Sequence, residues 1–293
     1  MSLKILITGG SGFIGKNLAE QLGSKYQIIS PARAELDLSD KAAVKTFLEQ
    51  GAFDAVIHSA GAGVSRGRQT ENLLEQNKRL FLNLAENSQL FKKMIYFGSG
   101  AEYGKQRPIV KIKESQFGEV RPSDEYGQAK FFASEYLENT ENIFNLRLFG
   151  VFGKFEDYKT RFISNAICRS LCGLPIVIRQ NVVFDYLFID DLAKIVEYFL
   201  EHEPKHKIYN AGRGEAVEIL KLAELIQKNF DPKPEIIIKR PGLANEYSCD
   251  NSRLLEELGD FEFTPINLAI KKLVDWYGQN LESIDKKSLD FDS

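Results

Sequence analysis

The opening of the chain does most to limit what it can fold into. Leu3 to Thr8 (LKILIT) is a short apolar run that stops at two glycines, and Phe13, Ile14, Leu18 and Leu22 then recur at helical spacing until Gly23. That pattern predicts strand, tight turn, helix. The alternation continues. Strands are expected at Tyr26 to Ser30, Asp54 to His58, Lys93 to Ser99 and Ile143 to Phe149. Helices are expected after Asp40, an N-cap residue followed by Val44, Phe47 and Leu48, and over Leu73 to Leu90 and Asp124 to Asn139. Continuously apolar strands alternating with amphipathic helices imply crossover connections and a parallel sheet covered on both faces, so the first half reads as doubly wound α/β.

The turn after the first strand is Thr8-Gly9-Gly10-Ser11-Gly12-Phe13-Ile14-Gly15, with Gly9, Gly12 and Gly15 at GxxGxxG spacing. Between a strand and a helix, that spacing suits a dinucleotide. Glycine lets the backbone approach a pyrophosphate, and the helix N-terminus supplies N–H donors and partial positive charge. The tip after the second strand should discriminate NADP from NAD, since the two differ by a ribose 2′-phosphate. It reads Ile29-Ser30-Pro31-Ala32-Arg33 and places a basic residue where an NAD site would more typically carry a carboxylate. Arg33 with Ser30 favours NADP(H). Glu35 and Asp37, slightly later, keep NAD(H) open, and Asp37-Leu38 is placed to border the adenine.

Composition removes several other classes. Among 293 residues, 38 Lys plus Arg against 41 Asp plus Glu give a net charge of −3, without a basic block to attract nucleic acid. No apolar run approaches the ~18 residues of a spanning helix, and no leader pattern precedes the first strand, so a cytoplasmic protein is expected. Cys168, Cys172 and Cys249 are too few and too odd in number for a disulfide framework, and His58, His202 and His206 do not make a metal centre.

Past Phe149 the rhythm changes. Helices are expected at Arg161 to Cys172, Asp191 to Leu200, Val217 to Asn229 and Ile266 to Tyr277. Short strands are expected at Pro175 to Ile178, Asp185 to Ile189, Lys207 to Asn210 and Glu235 to Ile238. These pieces suggest a smaller α+β lobe interleaved with the sheet. Residues 1–155 then form a cofactor domain to which 182–212 return, 156–181 and 213–282 form a substrate lobe, and 283–293 form a loose polar tail.

Tyr126-Gly127-Gln128-Ala129-Lys130 sets a phenol and an ammonium four residues apart on one helix face. A phenol is a weak acid–base catalyst near neutrality unless a neighbouring cation stabilises its phenolate, a task Lys130 is placed to perform. Ser99 ends the preceding strand, where a hydroxyl donor to a substrate carbonyl is wanted.

Taken in order, GxxGxxG, Ser99, Tyr126/Lys130, Arg147-Leu148-Phe149-Gly150, Asp185-Tyr186-Leu187-Phe188-Ile189-Asp190-Asp191-Leu192-Ala193 and Tyr209-Asn210-Ala211-Gly212 resemble the extended short-chain dehydrogenase/reductase family over residues 3 to 280. The resemblance implies a Rossmann-type cofactor domain and NAD(P)-dependent chemistry on nucleotide sugars. It implies catalysis by Ser99, Tyr126 and Lys130, the loop Ser59-Ala60-Gly61 along the cofactor, and dimerisation through helices including that of Asp124 to Asn139. Arg240, in a segment similar to the family's diphosphate-binding stretch, is expected on the substrate's phosphates. Arg179 is expected to compensate for Phe184, which stands where the family often has an arginine.

Departures from the family pattern narrow the reaction. Its 4,6-dehydratases follow the catalytic Ser/Thr with Asp-Glu, where this chain has Gly100-Ala101. Glu102 comes one place late and, if the segment is extended, points to the side opposite Ala101. Pro31 to Phe47 resembles the GDP-fucose synthases, but their epimerising Cys falls at Ala101 and their His partner in a histidine-free Lys154 to Phe162. A 4-ketoreductase is the simplest expectation. A nucleotide-sugar 4-epimerase and a non-catalytic NADP-binding regulator stay open.

Overall fold

The computed structural model describes residues 2–62 and 72–289. Along the chain run β1 (Lys4–Thr8), α1 (Phe13–Leu22), β2 (Gln27–Ile29), α2 (Lys41–Gly51), β3 (Ala55–His58), α3 (Leu73–Ala85), β4 (Lys93–Ser99), β5 (Ile109–Ile112), α4 (Glu125–Leu137) and β6 (Ile143–Leu148). There follow β7 (Gly150–Phe152), α5 (Phe162–Leu171), β8 (Ile176–Asn181), β9 (Val183–Phe184), β10 (Tyr186–Phe188), α6 (Ile189–Glu201) and β11 (Ile208–Ala211). The chain continues through β12 (Val217–Glu218), α7 (Ile219–Gln227), β13 (Ile236–Leu243), β14 (Tyr247–Cys249), α8 (Ser252–Leu258) and α9 (Ile266–Gln279).

A six-stranded sheet in the order β11-β6-β4-β3-β1-β2, parallel throughout, is the centre of the molecule. Alternation along each strand sends Ile5, Ile7, Ile57 and Ile95 to one face and Leu6, Val56 and Met94 to the other, each face with its own apolar cluster. Helices on both faces make the doubly wound α/β architecture, with the order reversing between β1 and β3. Ligands of open α/β sheets bind beyond the strand ends at such a reversal. Asp40 caps α2 as its position predicts, accepting from Ala42 and Ala43 N–H at 2.9 and 3.0 Å.

A second sheet, β12-β9-β14-β5, joins strands more than one hundred residues apart in sequence, and β8 and β13 form a separate parallel ribbon. Two buried aspartates tie segments distant in sequence together. Asp185, fully buried, accepts from Arg213 and Gly214 N–H at 2.8 and 2.9 Å, and Asp191 accepts from Thr264 N–H and Oγ1 at 2.8 and 2.7 Å. A methyl on Gly212 would stand 2.7 Å from Asp185 Oδ2. The larger apolar cluster draws on residues from Ile5 to Leu289.

Of the loose polar tail expected over 283–293, residues 290–293 lie outside the described residues and 283–289 are docked. Lys286–Leu289 forms a helical turn, Ile284 and Leu289 are buried in the shared core, and Arg169 Nη1 donates to the Leu289 carbonyl. Two apolar side chains in a polar run suffice to dock it. Among the described residues no helix is long and apolar enough to cross a membrane.

Candidate active site

Ser99 ends β4, whose seven residues are all buried between β3 and β6. The backbone does not continue extended, as supposed for Glu102, but turns at once into a 3-10 helix, Gly100–Tyr103. Ser99 caps it: Oγ accepts from Ala101 N–H at 3.1 Å, and Glu102 Oε1 accepts from Ser99 N–H at 2.9 Å. Glu102 therefore lies beneath the serine. Its other oxygen meets Arg147 Nε and Ser134 Oγ, each at 2.5 Å, and both charged side chains are 0% exposed. Arg147 also donates to the Tyr103 hydroxyl at 2.7 Å, which donates to Asn210 Oδ1 at 2.7 Å. Burial alone would lower the pKa of Arg147, but the charge of Glu102 and the Tyr103 contact hold it above its ordinary value. This platform fixes the end of β4 to β6 and β11.

Asp124 caps α4 through Gly127 N–H at 2.8 Å and sets Tyr126 and Lys130 on the turn facing Ser99. The Tyr126 phenol faces the Ser99 side chain. Burial raises the Tyr126 pKa, with the Ser99 contact and the charge of Arg161 opposing, so the phenol keeps its proton at neutral pH. Lys130 donates to the Phe97 carbonyl at 2.6 Å, with Nζ 4.6 Å from the Tyr96 ring centroid and 5.8 Å from that of Tyr126. Burial brings its pKa down to about 8, opposed by Glu102. His58, brought to about 3 by burial and then by Lys130, is neutral and shares a 2.8 Å hydrogen bond with Thr8 Oγ1.

The glycine turn lies at the sheet's reversal. Gly9 has φ +73°, and a methyl there would stand 2.7 Å from Ala60 Cα, so the turn and the Ser59-Ala60-Gly61 loop touch backbone to backbone. Ser59 Oγ donates to the Thr8 carbonyl at 2.8 Å. Asn77, which the sequence did not single out, holds the same loop by exchanging two 3.0 Å hydrogen bonds with Ala62. Helix α1 starts at Gly12 with no side-chain cap and no acid in its first turn, where Phe13, Ile14 and Gly15 lie. A cradle that a Cβ would fill, before an uncapped helix N-terminus, fits a dinucleotide pyrophosphate.

At the β2 tip, Ser30 Oγ donates to the Ile7 carbonyl at 3.2 Å, while Arg33 is 84% exposed with Asp37 Oδ2 3.9 Å away. Asp37 is held below the usual carboxylate range chiefly by the Ser39 N–H and then its hydroxyl; Leu38 is buried in the core. The two remaining arginines are separated. The β8/β13 register pairs Arg240 with Gln180, so Arg240 and Arg179 lie on opposite faces of the ribbon.

Two side chains unforeseen from sequence join the site. Lys105 Nζ lies 5.7 Å from the Tyr126 ring centroid and 5.5 Å from that of Tyr247, whose hydroxyl stands over Gly100, the residue after Ser99. Tyr247 belongs to β14, and no local pattern marks it.

Residues 5–212 match the NAD dependent epimerase/dehydratase family. The chain is 24% identical to the GDP-L-colitose synthase of Yersinia pseudotuberculosis over 94% of its own length and 98% of that protein's. Its fold superposes on the NADP-bound GDP-mannoheptose C4 reductase of Campylobacter jejuni with a TM-score of 0.81 at 21% identity, covering 94% and 98% of the two chains. It superposes on the NAD-bound dTDP-glucose 4,6-dehydratase of Bacillus anthracis with a TM-score of 0.79 at 17% identity, covering 96% and 98%. With its glycine cradle and Ser99-Tyr126-Lys130 constellation, this chain belongs to the NAD dependent epimerase/dehydratase family, the extended short-chain dehydrogenases/reductases, and is an NAD(P)-dependent enzyme of that family.

Proposed function

We propose that the protein reduces the 4-keto group of a nucleotide-activated sugar, using NADPH. The observation that carries this reading is the state of the turn after Ser99. Gly100 and Ala101 offer no acid, and the carboxylate of Glu102 is buried against Arg147 beneath the site. A protonated phenol and a hydroxyl can therefore serve one carbonyl oxygen, without an acid from this turn to act on neighbouring carbons. The C4 reductase activity of the Campylobacter neighbour is consistent with this.

When bound, NADPH supplies the hydride. The backbone from Gly9 to Gly15 would hold its pyrophosphate, the exposed Arg33 its 2′-phosphate, and Lys130 its nicotinamide ribose. Tyr126, kept neutral by burial, passes its proton to the developing alkoxide, and Ser99 Oγ donates a hydrogen bond to the same oxygen. Lys105 and the charge of Arg161, both felt at the Tyr126 ring, bring positive potential to the side where a sugar diphosphate would enter. Phosphate contacts at the mouth of the site would then add to those of Arg240 or Arg179.

The test is NADPH oxidation against a panel of GDP-, dTDP-, UDP- and CDP-4-keto sugars. One NADPH should be consumed per alcohol formed, and Tyr126→Phe should lower kcat by about 10²–10⁴-fold. Interconversion of two sugars with no net change in nicotinamide absorbance would mark a 4-epimerase and overturn this reading.

A further inference from the structure

Two ammonium groups flank the Tyr126 ring, and one of them is uncommitted. Lys130 Nζ, 5.8 Å from the ring centroid, is buried and donates to the Phe97 carbonyl of β4 at 2.6 Å. Lys105 Nζ, 5.7 Å from the same centroid, lies toward the second sheet, 5.5 Å from the ring of Tyr247 on β14. Its backbone is held on both sides. Gly104 turns the chain out of the 3-10 helix at φ +80°, with its N–H on the Ala101 carbonyl at 3.1 Å, and a methyl there would stand 2.8 Å from Val120 Cγ1. Gln106 Nε2 donates to the Arg121 carbonyl at 2.7 Å, just before α4. The glycine turn and the glutamine anchor thus deliver an exposed residue 105 to the site.

Aromatic rings attract a cation without using its N–H groups. Among the described residues no carboxylate is within ion-pair distance of Lys105 Nζ and no hydrogen bond holds it, so its three donors are unspent. The wall behind it is uncharged, because Tyr247 packs between Phe149 and Phe184 with centroids 4.9 Å from each. Asp124, whose charge is felt at Lys105, is engaged as the cap of α4 through Gly127 N–H at 2.8 Å, and Arg161 makes the corner more positive. We propose that Lys105 is a specificity residue for a diphosphate: its ammonium takes an oxygen of the phosphate attached to the sugar and so sets the carbonyl carbon against Tyr126. One sugar ring separates that phosphate from the 4-keto group. A cation beside the Tyr126 ring, with no hydrogen bond to its hydroxyl, serves the phosphate and leaves the phenol to the carbonyl oxygen. A nucleoside monophosphate stops short of this contact, so Lys105 discriminates nucleoside diphosphates from monophosphates. The inference rests on the reading of the substrate as a nucleotide-activated sugar.

Calorimetric titration of the full chain, loaded with NADP, with GDP, UDP, dTDP and CDP and with their monophosphates tests this. Lys105→Met keeps an unbranched stem against the two rings and removes the charge. It should weaken the best-bound diphosphate about 10-fold, the worth of one charge-assisted hydrogen bond, and the matching monophosphate by less than about 2-fold. Lys105→Arg should recover most of the loss, since the charge returns. Equal losses for diphosphate and monophosphate, no loss for either, or no binding of any diphosphate to the unaltered protein would overturn the proposal. With a 4-keto sugar as substrate, Lys105→Met should raise KM about 10-fold and change kcat by less than about 2-fold. A fall in kcat at unchanged KM would put the charge of Lys105 on the Tyr126 phenol and refute the phosphate contact. The titration needs no turnover, so the two readings fail separately. A diphosphate-selective loss without reduction of any 4-keto sugar removes the reaction assignment and leaves the role of Lys105 standing. Reduction of a 4-keto sugar with unaltered diphosphate affinity does the reverse.

Discussion

Arg147→Met is the sharpest test of the platform under Ser99. The substitution keeps an unbranched side chain in β6 but removes the guanidinium that meets Glu102 Oε2 at 2.5 Å and the Tyr103 hydroxyl at 2.7 Å. The Glu102 carboxylate, 0% exposed, is left with Ser134 Oγ, Ser99 N–H and the Asn145 amide as uncharged partners. Stranding one charge of a buried pair costs about 3–5 kcal/mol. An unfolding entropy of ~2.1 cal/mol/K per residue over 293 residues gives ~0.6 kcal/mol/K, so the melting temperature should fall by about 5–8 °C.

Urea unfolding followed by circular dichroism, with calorimetry for Tm, measures the loss. Adding Glu102→Gln to Arg147→Met removes the stranded charge and should recover about 2 kcal/mol, a sign opposite to independent effects. A loss below about 1 kcal/mol for Arg147→Met, or a double variant worse than the sum of the singles, would refute the argument that this pair is what holds the turn.

Two further predictions concern single groups. Burial raises Glu156 to about 8, opposed by the Ser164 hydroxyl 2.5 Å away, so between its ordinary 4.5 and about 8 the unfolded chain loses a proton that the folded chain keeps. Stability at this position therefore falls as pH rises through that window, and Glu156→Gln should gain roughly 3 kcal/mol near pH 7 and under about 1 kcal/mol near pH 5 in urea titrations. A gain that is equal at the two pH values would contradict the raised pKa. Arg33→Ala should weaken NADPH binding at least ~10-fold and leave NADH nearly unchanged in fluorescence titrations, because in the proposed site only the 2′-phosphate would meet the guanidinium. Equal losses for both would take Arg33 out of that site.

The legible parts of this molecule are those decided within one element. The LKILIT run, its glycines and the following helix specify β1, the turn and α1 with no distant partner. Ser99, Tyr126 and Lys130 show themselves because strand ends and helix faces follow from residue spacing. The platform was harder to see, although a clue was present: Arg147 interrupts the apolar strand IFNLRL, all of it buried, and a buried guanidinium requires an acid. Which acid depends on the turn after β4, whose 3-10 geometry points Glu102 down rather than out. The direction of the Tyr126 and Lys130 pKa shifts follows from burial, which spacing does not report.

Tyr247 was illegible for a different reason, since it comes to Ser99 through the pairing of β14 with β5 and β9, strands distant in sequence. In the sequence, Gly100 reads as an acid that is missing. In the structure it is a space that is occupied, because the Tyr247 hydroxyl stands where a side chain from position 100 would go. The two positions are therefore one feature. An acid introduced at position 100 alone should collide with Tyr247, and only together with a smaller residue at 247 does the site have room for it.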